Sequence, residues 1–184
     1  MKWLFCRSAA SAVTARMAAW PLAIFWVLAA VACSPALNWR SVTLGEHSVT
    51  LPCKPDRGQR TVPLGAYSVA MEMVGCEADG ALFAVSLVRV PDGVDAGVLQ
   101  AQWQAASLQQ MRSQPGLQQP LAIAGAPNSA MRAISAQGQG ADGRPVQARL
   151  AWLTTGGELV QLAVYAPRLT QELTEPFFAG VRLP

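Results

Sequence analysis

The sequence is poor in charge and in the residue types that catalysis most often uses. Only 14% of its 184 residues are charged, and it holds one His, two Tyr and four Cys. With His47 as the sole imidazole, a zinc centre has too few ligands at any workable spacing. Paired-carboxylate hydrolases and phosphate-binding loops lack supporting spacing as well. The chain also has no cationic surplus where one would matter. Its formal net charge is +3, but Lys2, Arg7 and Arg16 carry all of that excess. From Cys33 onward the eleven remaining Lys and Arg match eleven Asp and Glu. The electrostatic attraction that drives nucleic-acid binding therefore has no source, and no nucleic-acid partner is expected. Lys54, Arg57 and Arg60 are read as a solvated loop.

Two patterns suggest chemistry and do not sustain it. Gly138-Gln139-Gly140-Ala141-Asp142-Gly143 spells GxGxxG, but a dinucleotide site needs it between a strand and a helix. Here Arg144-Pro145 and an alternating run follow, so a glycine-rich hairpin loop is expected. His47 and Ser48 are neighbours on a predicted strand and point to opposite faces, so they cannot pair as base and nucleophile. A surface strand histidine is the expectation. No cofactor, metal site or catalytic residue is assigned, and the chain is not read as an enzyme.

What the sequence does have is an apolar run, Met17–Cys33, preceded by positive charge and ending in small residues. That order is the order of an export signal. The end of the run, Ala29-Ala30-Val31-Ala32-Cys33, resembles a bacterial lipoprotein signal, in which the Cys is diacylated and becomes the new N-terminus. Ala30 stands where that signal most often has Leu. The resemblance makes Cys33 the lipidation site. An uncleaved anchor is the alternative, although Pro21 interrupts a run shorter than the roughly 20 residues a spanning helix needs; simple cleaved secretion is a third. All three export the rest of the chain. Residues 1–32 are thus signal peptide or anchor, 33–37 a short tether, and 38–184 a single domain.

Export sorts the cysteines. Cys6 leaves with the signal and Cys33 takes the lipid. Cys53 and Cys76 remain as one pair in a compartment that permits disulfides. A redox or metal role is the rival, but redox pairs are usually closer in sequence and metal sites need further ligands. A structural disulfide is expected.

Along the domain, Asn38–Thr43 and His47–Cys53 alternate around Gly45 and predict a hairpin. Pro52 and Pro55 with Asp56 and Gly58 predict a break. Ala66–Cys76 and Ala81–Val90 form a second hairpin about Asp79-Gly80, with Tyr67, Val69, Met71 and Met73 sharing a face. A helix follows to about Arg112, capped by Asp92, with Asp95 in its first turn. Its apolar stripe is read as Val94, Val98, Ala101, Ala105 and Leu108, widened by Leu99 and Trp103. Gln100, Gln104 and Gln110 face solvent, and Gln114-Pro115-Gly116 ends the helix. Ser129–Gln137, Pro145–Thr154 and Leu159–Ala166 predict a meander. Thr170–Gly180 predicts a last short helix entered near Thr170 or Thr174, the second start placing Pro176 in its first turn. Trp103 and Trp152 are assigned to packing, and Trp39, near the tether, to a membrane interface.

Short connections between strands imply an antiparallel sheet with helices on its faces. The fold class is therefore α+β: hairpins and a C-terminal meander packed with a central and a C-terminal helix. The His47–Pro55 element (HSVTLPCKP), the capped helix after a long hairpin, and the ending LVQLAVYAP…FFAGVRL resemble the PsbP-like superfamily. It includes photosynthetic extrinsic proteins, Mog-type Ran-binding proteins and bacterial lipoproteins of the DcrB and LpqN kinds. Gly180 stands where Ser is usual. The resemblance implies a PsbP-like fold and a binding or assembly role, with no catalytic residues to carry over. The expectation is an envelope protein with a periplasmic domain held to a membrane, the outer membrane among the candidates, and acting on an unknown protein partner. A small-molecule or lipid-binding module, using an apolar groove between helix 94–112 and the sheet, is the alternative.

Overall fold

The computed structural model describes residues 37–114, 116–121 and 132–182. The predicted export segment Met17–Cys33, the expected lipidation site at Cys33 and the start of the predicted meander at 129–131 lie outside the described residues. Among those described, no helix is long and apolar enough to cross a membrane. They belong to one compact unit, Pro35–Pro184.

The chain order is β1 (Arg40–Leu44), β2 (His47–Leu51), β3 (Asp56–Leu64), β4 (Tyr67–Ala78), β5 (Ala81–Arg89), α1 (Ala96–Gln110) and β6 (Gln118–Pro120). It continues with β7 (Arg132–Gln139), β8 (Pro145–Thr155), β9 (Glu158–Ala166) and α2 (Gln171–Ala179). β1 and β2 pair alone, while the rest form a seven-stranded antiparallel sheet ordered β3-β4-β5-β9-β8-β7-β6. This is the expected α+β class. The sequence order conceals one step: β9 inserts between β5 and β8, joining the second hairpin to the meander.

β9 sits in the middle, and seven of its nine residues are buried. Such a strand must be covered on both faces, because successive side chains point to opposite sides. One face carries Phe83, Val85, Leu87, Val160, Leu162 and Val164 under the β1–β2 hairpin and α2. The other carries Met71, Val88, Leu150, Trp152, Leu159 and Ala163 under α1. The unit thus closes around two cores of its own, and a unit of this kind folds independently.

The first face is locked in three ways. Cys53 and Cys76 form the expected disulfide, with Cα atoms 6.0 Å apart. Phe83 meets Trp39 edge-on at 5.9 Å and Phe177 at 5.7 Å. Trp39 is thus half-buried against this core. After α2 the chain returns to β2, where Arg182 exchanges two backbone hydrogen bonds with Ser48. Gly180 lies so close to β2 that a Cβ there would land on Thr50.

Several local expectations are corrected. The predicted break at Leu51–Gly58 ends at Asp56, where the edge strand β3 begins. Its Arg57 and Arg60 are exposed strand residues, not loop cations. Pairing to β4 overrides the glycine and proline signals, and Pro63 is tolerated near the end of this edge strand. The cap of α1 is Asp95, whose carboxylate accepts from the Val98 N–H at 2.9 Å; Asp92 lies a turn too early. The helix stops at Gln110 because Arg112 adopts a left-handed φ of 51°. Ser113 N–H then reaches the Leu108 carbonyl and Arg112 N–H that of Gln109, satisfying orphan carbonyls in a Schellman turn. α2 begins after Thr170, the earlier of the two starts the sequence offers, so Pro176 falls inside the helix and not in its first turn. Burial of Leu173, Phe177 and Phe178 compensates for the lost hydrogen bond.

Candidate functional site

α1 covers only part of its sheet face. Its buried residues are Leu99, Trp103, Ser107 and Leu108, while Val98 is 48% exposed and Ala101 and Ala105 face solvent. The stripe predicted from Val98, Ala101 and Ala105 is therefore rotated. The error is physical: α1 offers two overlapping apolar arcs, and the one holding Trp103 and Leu99 has more surface to bury. Gln100 and Gln104 are half-buried as a result, not free on a solvent face.

Beyond the helix, the sheet continues and leaves a groove of about 450 Å³. Its floor comes from alternate residues of adjacent strands, which the register places side by side. Met71 and Met73 of β4 lie beside Ser86, Ala84 and Leu82 of β5, and those beside Gln161, Ala163 and Tyr165 of β9. Trp103, Ser107 and Met111 of α1 form one wall. The far end is closed by Gln139–Ala141 at the β7–β8 turn. The size falls within the range of sites for small organic ligands.

The helix wall is fixed at its C-terminal end. Gln139 N–H donates to the Met111 carbonyl at 2.8 Å, and the Arg112 guanidinium donates to Gln139 Oε1 at 3.0 Å. Gly138 permits this approach, since a Cβ there would strike the Met111 carbonyl. The Gly138–Gly143 run, read as a glycine-rich hairpin loop, is indeed the β7–β8 turn. Asp142 there accepts from the Arg144 N–H at 3.0 Å and pairs with its guanidinium, contacts that hold its carboxyl below the usual range.

The groove floor is apolar with a small neutral polar centre. Gln161 Nε2 donates to Ser107 Oγ at 2.9 Å, a buried bond tying α1 to β9. Burial pushes the Tyr165 phenol up to about 12, so it is uncharged at neutral pH. The three lining methionines, Met71, Met73 and Met111, are flexible apolar residues that adapt to irregular ligands. No pair of titratable groups converges there, so the groove can bind and orient but is not built for proton transfer.

His47 is the second place where chemistry could reside. The expectation of a surface histidine is overturned: it is 2% exposed, with Nε2 3.0 Å from Glu158 Oε2. Arg89 approaches the other Glu158 oxygen at 3.5 Å. Ser48, on the opposite face as predicted, bonds Ser41 Oγ at 2.8 Å. Among the described residues His47 therefore meets a carboxylate and no nucleophile. It pins the β1–β2 hairpin to the start of β9. A larger open cleft of about 830 Å³ lies beside α2. It is lined by the polar Arg149, Gln171 and Glu175 among others and offers less apolar surface than the groove under α1, so it is the weaker candidate. Trp103 and Trp152 are 4% and 2% exposed, in keeping with packing roles.

Sequence reasoning named the groove by its two boundaries, the helix and the sheet. It missed Arg60 at the edge and Gln161 at the centre. A cross-strand pairing of β3 with β4 was the signal that would have found Arg60. The chain matches no family model and no curated protein. Among solved structures it is similar to a Pseudomonas aeruginosa protein of unknown function, PA94, at 14% identity and a TM-score of 0.35, covering 75% of this chain and 89% of that one.

Proposed function

We propose that the chain is an exported, lipid-anchored envelope protein that acts by binding, with the α1–sheet groove as its binding site. One observation carries this reading: an apolar, uncharged floor of ligand-pocket size left open beside a helix that is firmly held. Cys33 supplies the anchor and the Cys53–Cys76 disulfide suits an oxidising compartment. A PsbP-like identity belongs to the same proposal and accounts for the antiparallel sheet flanked by helices.

Two occupants fit a binding role: an apolar segment of a protein partner, as an assembly factor requires, or a small apolar molecule. The volume of the groove, about 450 Å³, and the β7–β8 turn at its end favour the small molecule. Protein purified from envelope membranes, extracted and examined by mass spectrometry, should release an apolar compound. Ala84→Trp, which fills the groove from β5, should release none; equal amounts from both proteins would refute the reading. Cys33→Ala should abolish acyl labelling, and unchanged labelling would contradict the anchor.

A further inference from the structure

We propose that the groove takes a single-chain amphiphile bearing one carboxylate, with its tail on the Met73–Leu82 floor and its head paired to Arg60. The inference rests on the groove being the binding site and adds the chemistry of its ligand.

The antiparallel register places Arg60 directly opposite Met71 and Gly58 opposite Met73. Opposed residues share a face, so Arg60 projects on the groove side of the edge strand β3. Among the described residues it is the only charged one lining the groove. The other cations near the mouth are already engaged: Arg112 donates to Gln139, and Arg144 pairs with Asp142. Arg60 is exposed and makes no side-chain hydrogen bond or ion pair with the described residues. Next to it, a Cβ on Gly58 would meet nothing within 4 Å. The wall is therefore low beside the guanidinium, and a head group can reach it while the tail lies inward.

The charge pattern selects the ligand. An apolar floor with a neutral phenol at Tyr165 and an internally satisfied Gln161–Ser107 pair disfavours a charge along the tail. A single guanidinium fork at one margin matches one carboxylate, which it binds through two N–H donors. A diacyl phospholipid brings a second chain and a larger head, for which one Arg and one groove make no provision.

Laurate and the uncharged dodecanol, titrated calorimetrically into the Pro35–Pro184 unit, separate the head from the tail. Laurate should bind more tightly than dodecanol. Arg60→Gln should weaken laurate about tenfold, the scale of a charge-assisted hydrogen bond, and leave dodecanol unchanged. Ala84→Trp should weaken both. Unchanged laurate affinity in Arg60→Gln, with both ligands still lost in Ala84→Trp, overturns the head-group inference and leaves the groove intact. Undiminished binding of both in Ala84→Trp overturns the groove reading itself. A dimer seen by sedimentation and abolished by Ala84→Trp, or an apolar peptide that displaces laurate regardless of Arg60, assigns the groove to a different occupant and refutes the inference.

Discussion

Replacing Gly180 by Ser should destabilise the protein, and the structure says by which contact. Gly180 ends α2 with an ordinary φ of –81°, so backbone strain is not involved. The obstacle is space: a new Cβ falls on the Thr50 side chain of β2 and lies 2.9 Å from the Pro176 carbonyl. Overpacking of this kind costs about 1–3 kcal/mol. Thr50→Gly alone removes the 3.1 Å bond from Thr50 Oγ1 to the Gly180 carbonyl, worth about 1 kcal/mol, and weakens the strand as well. In the double variant both Thr50 atoms that the new Cβ would meet, Cβ and Oγ1, are gone, so the two costs should not add. Urea denaturation of the four proteins should give a favourable coupling of about 1 kcal/mol or more, well beyond the few tenths that independent sites show. Additive effects would mean that α2 does not seat against β2 as described.

Three further outcomes follow from the same structure. Reducing Cys53–Cys76 frees a span of 23 residues, which in the chain-entropy model lowers stability by about 3 kcal/mol; urea midpoints with and without reductant, shifted by less than a third of that, would contradict it. Asp95→Ala, which orphans the Val98 N–H at the start of α1, should cost about 1 kcal/mol by the same assay, whereas Asp92→Ala should cost little. Tyr165 keeps its proton in the folded state up to about pH 12, while in the unfolded chain it loses it near pH 10. Between those values the folded state binds more protons, so stability should fall as pH rises, by up to about 3 kcal/mol in all; Tyr165→Phe should remove that part of the alkaline loss, and an identical loss in both proteins would oppose it.

The strands were legible where alternation and turn chemistry agreed. Asp79 and Gly80 both adopt positive φ, as a two-residue hairpin turn requires, and the hairpin they join was read directly. The disulfide followed from counting cysteines after assigning the export signal. β3 was hidden because Gly58 and Pro63 break a run that only hairpin pairing with β4, across the two residues after Leu64, makes regular. His47 was misplaced for a different reason: its partner Glu158 is 111 residues away, and no local pattern marks that pair. The groove was legible as a helix over an apolar sheet, but its position was not. That depends on which arc of α1 is buried, and Trp103 decides it through packing that periodicity alone does not weigh.

The central claim is that ligands enter the groove between α1 and the sheet. The most direct measurement is the NMR spectrum of the Pro35–Pro184 unit with labelled methionine methyls, recorded as dodecanol is added. Met71, Met73 and Met111 line the groove from the floor and the helix wall. Saturable shifts of these three methyls, absent in Ala84→Trp, are the predicted result. Signals that stay in place while dodecanol binds elsewhere would contradict the account.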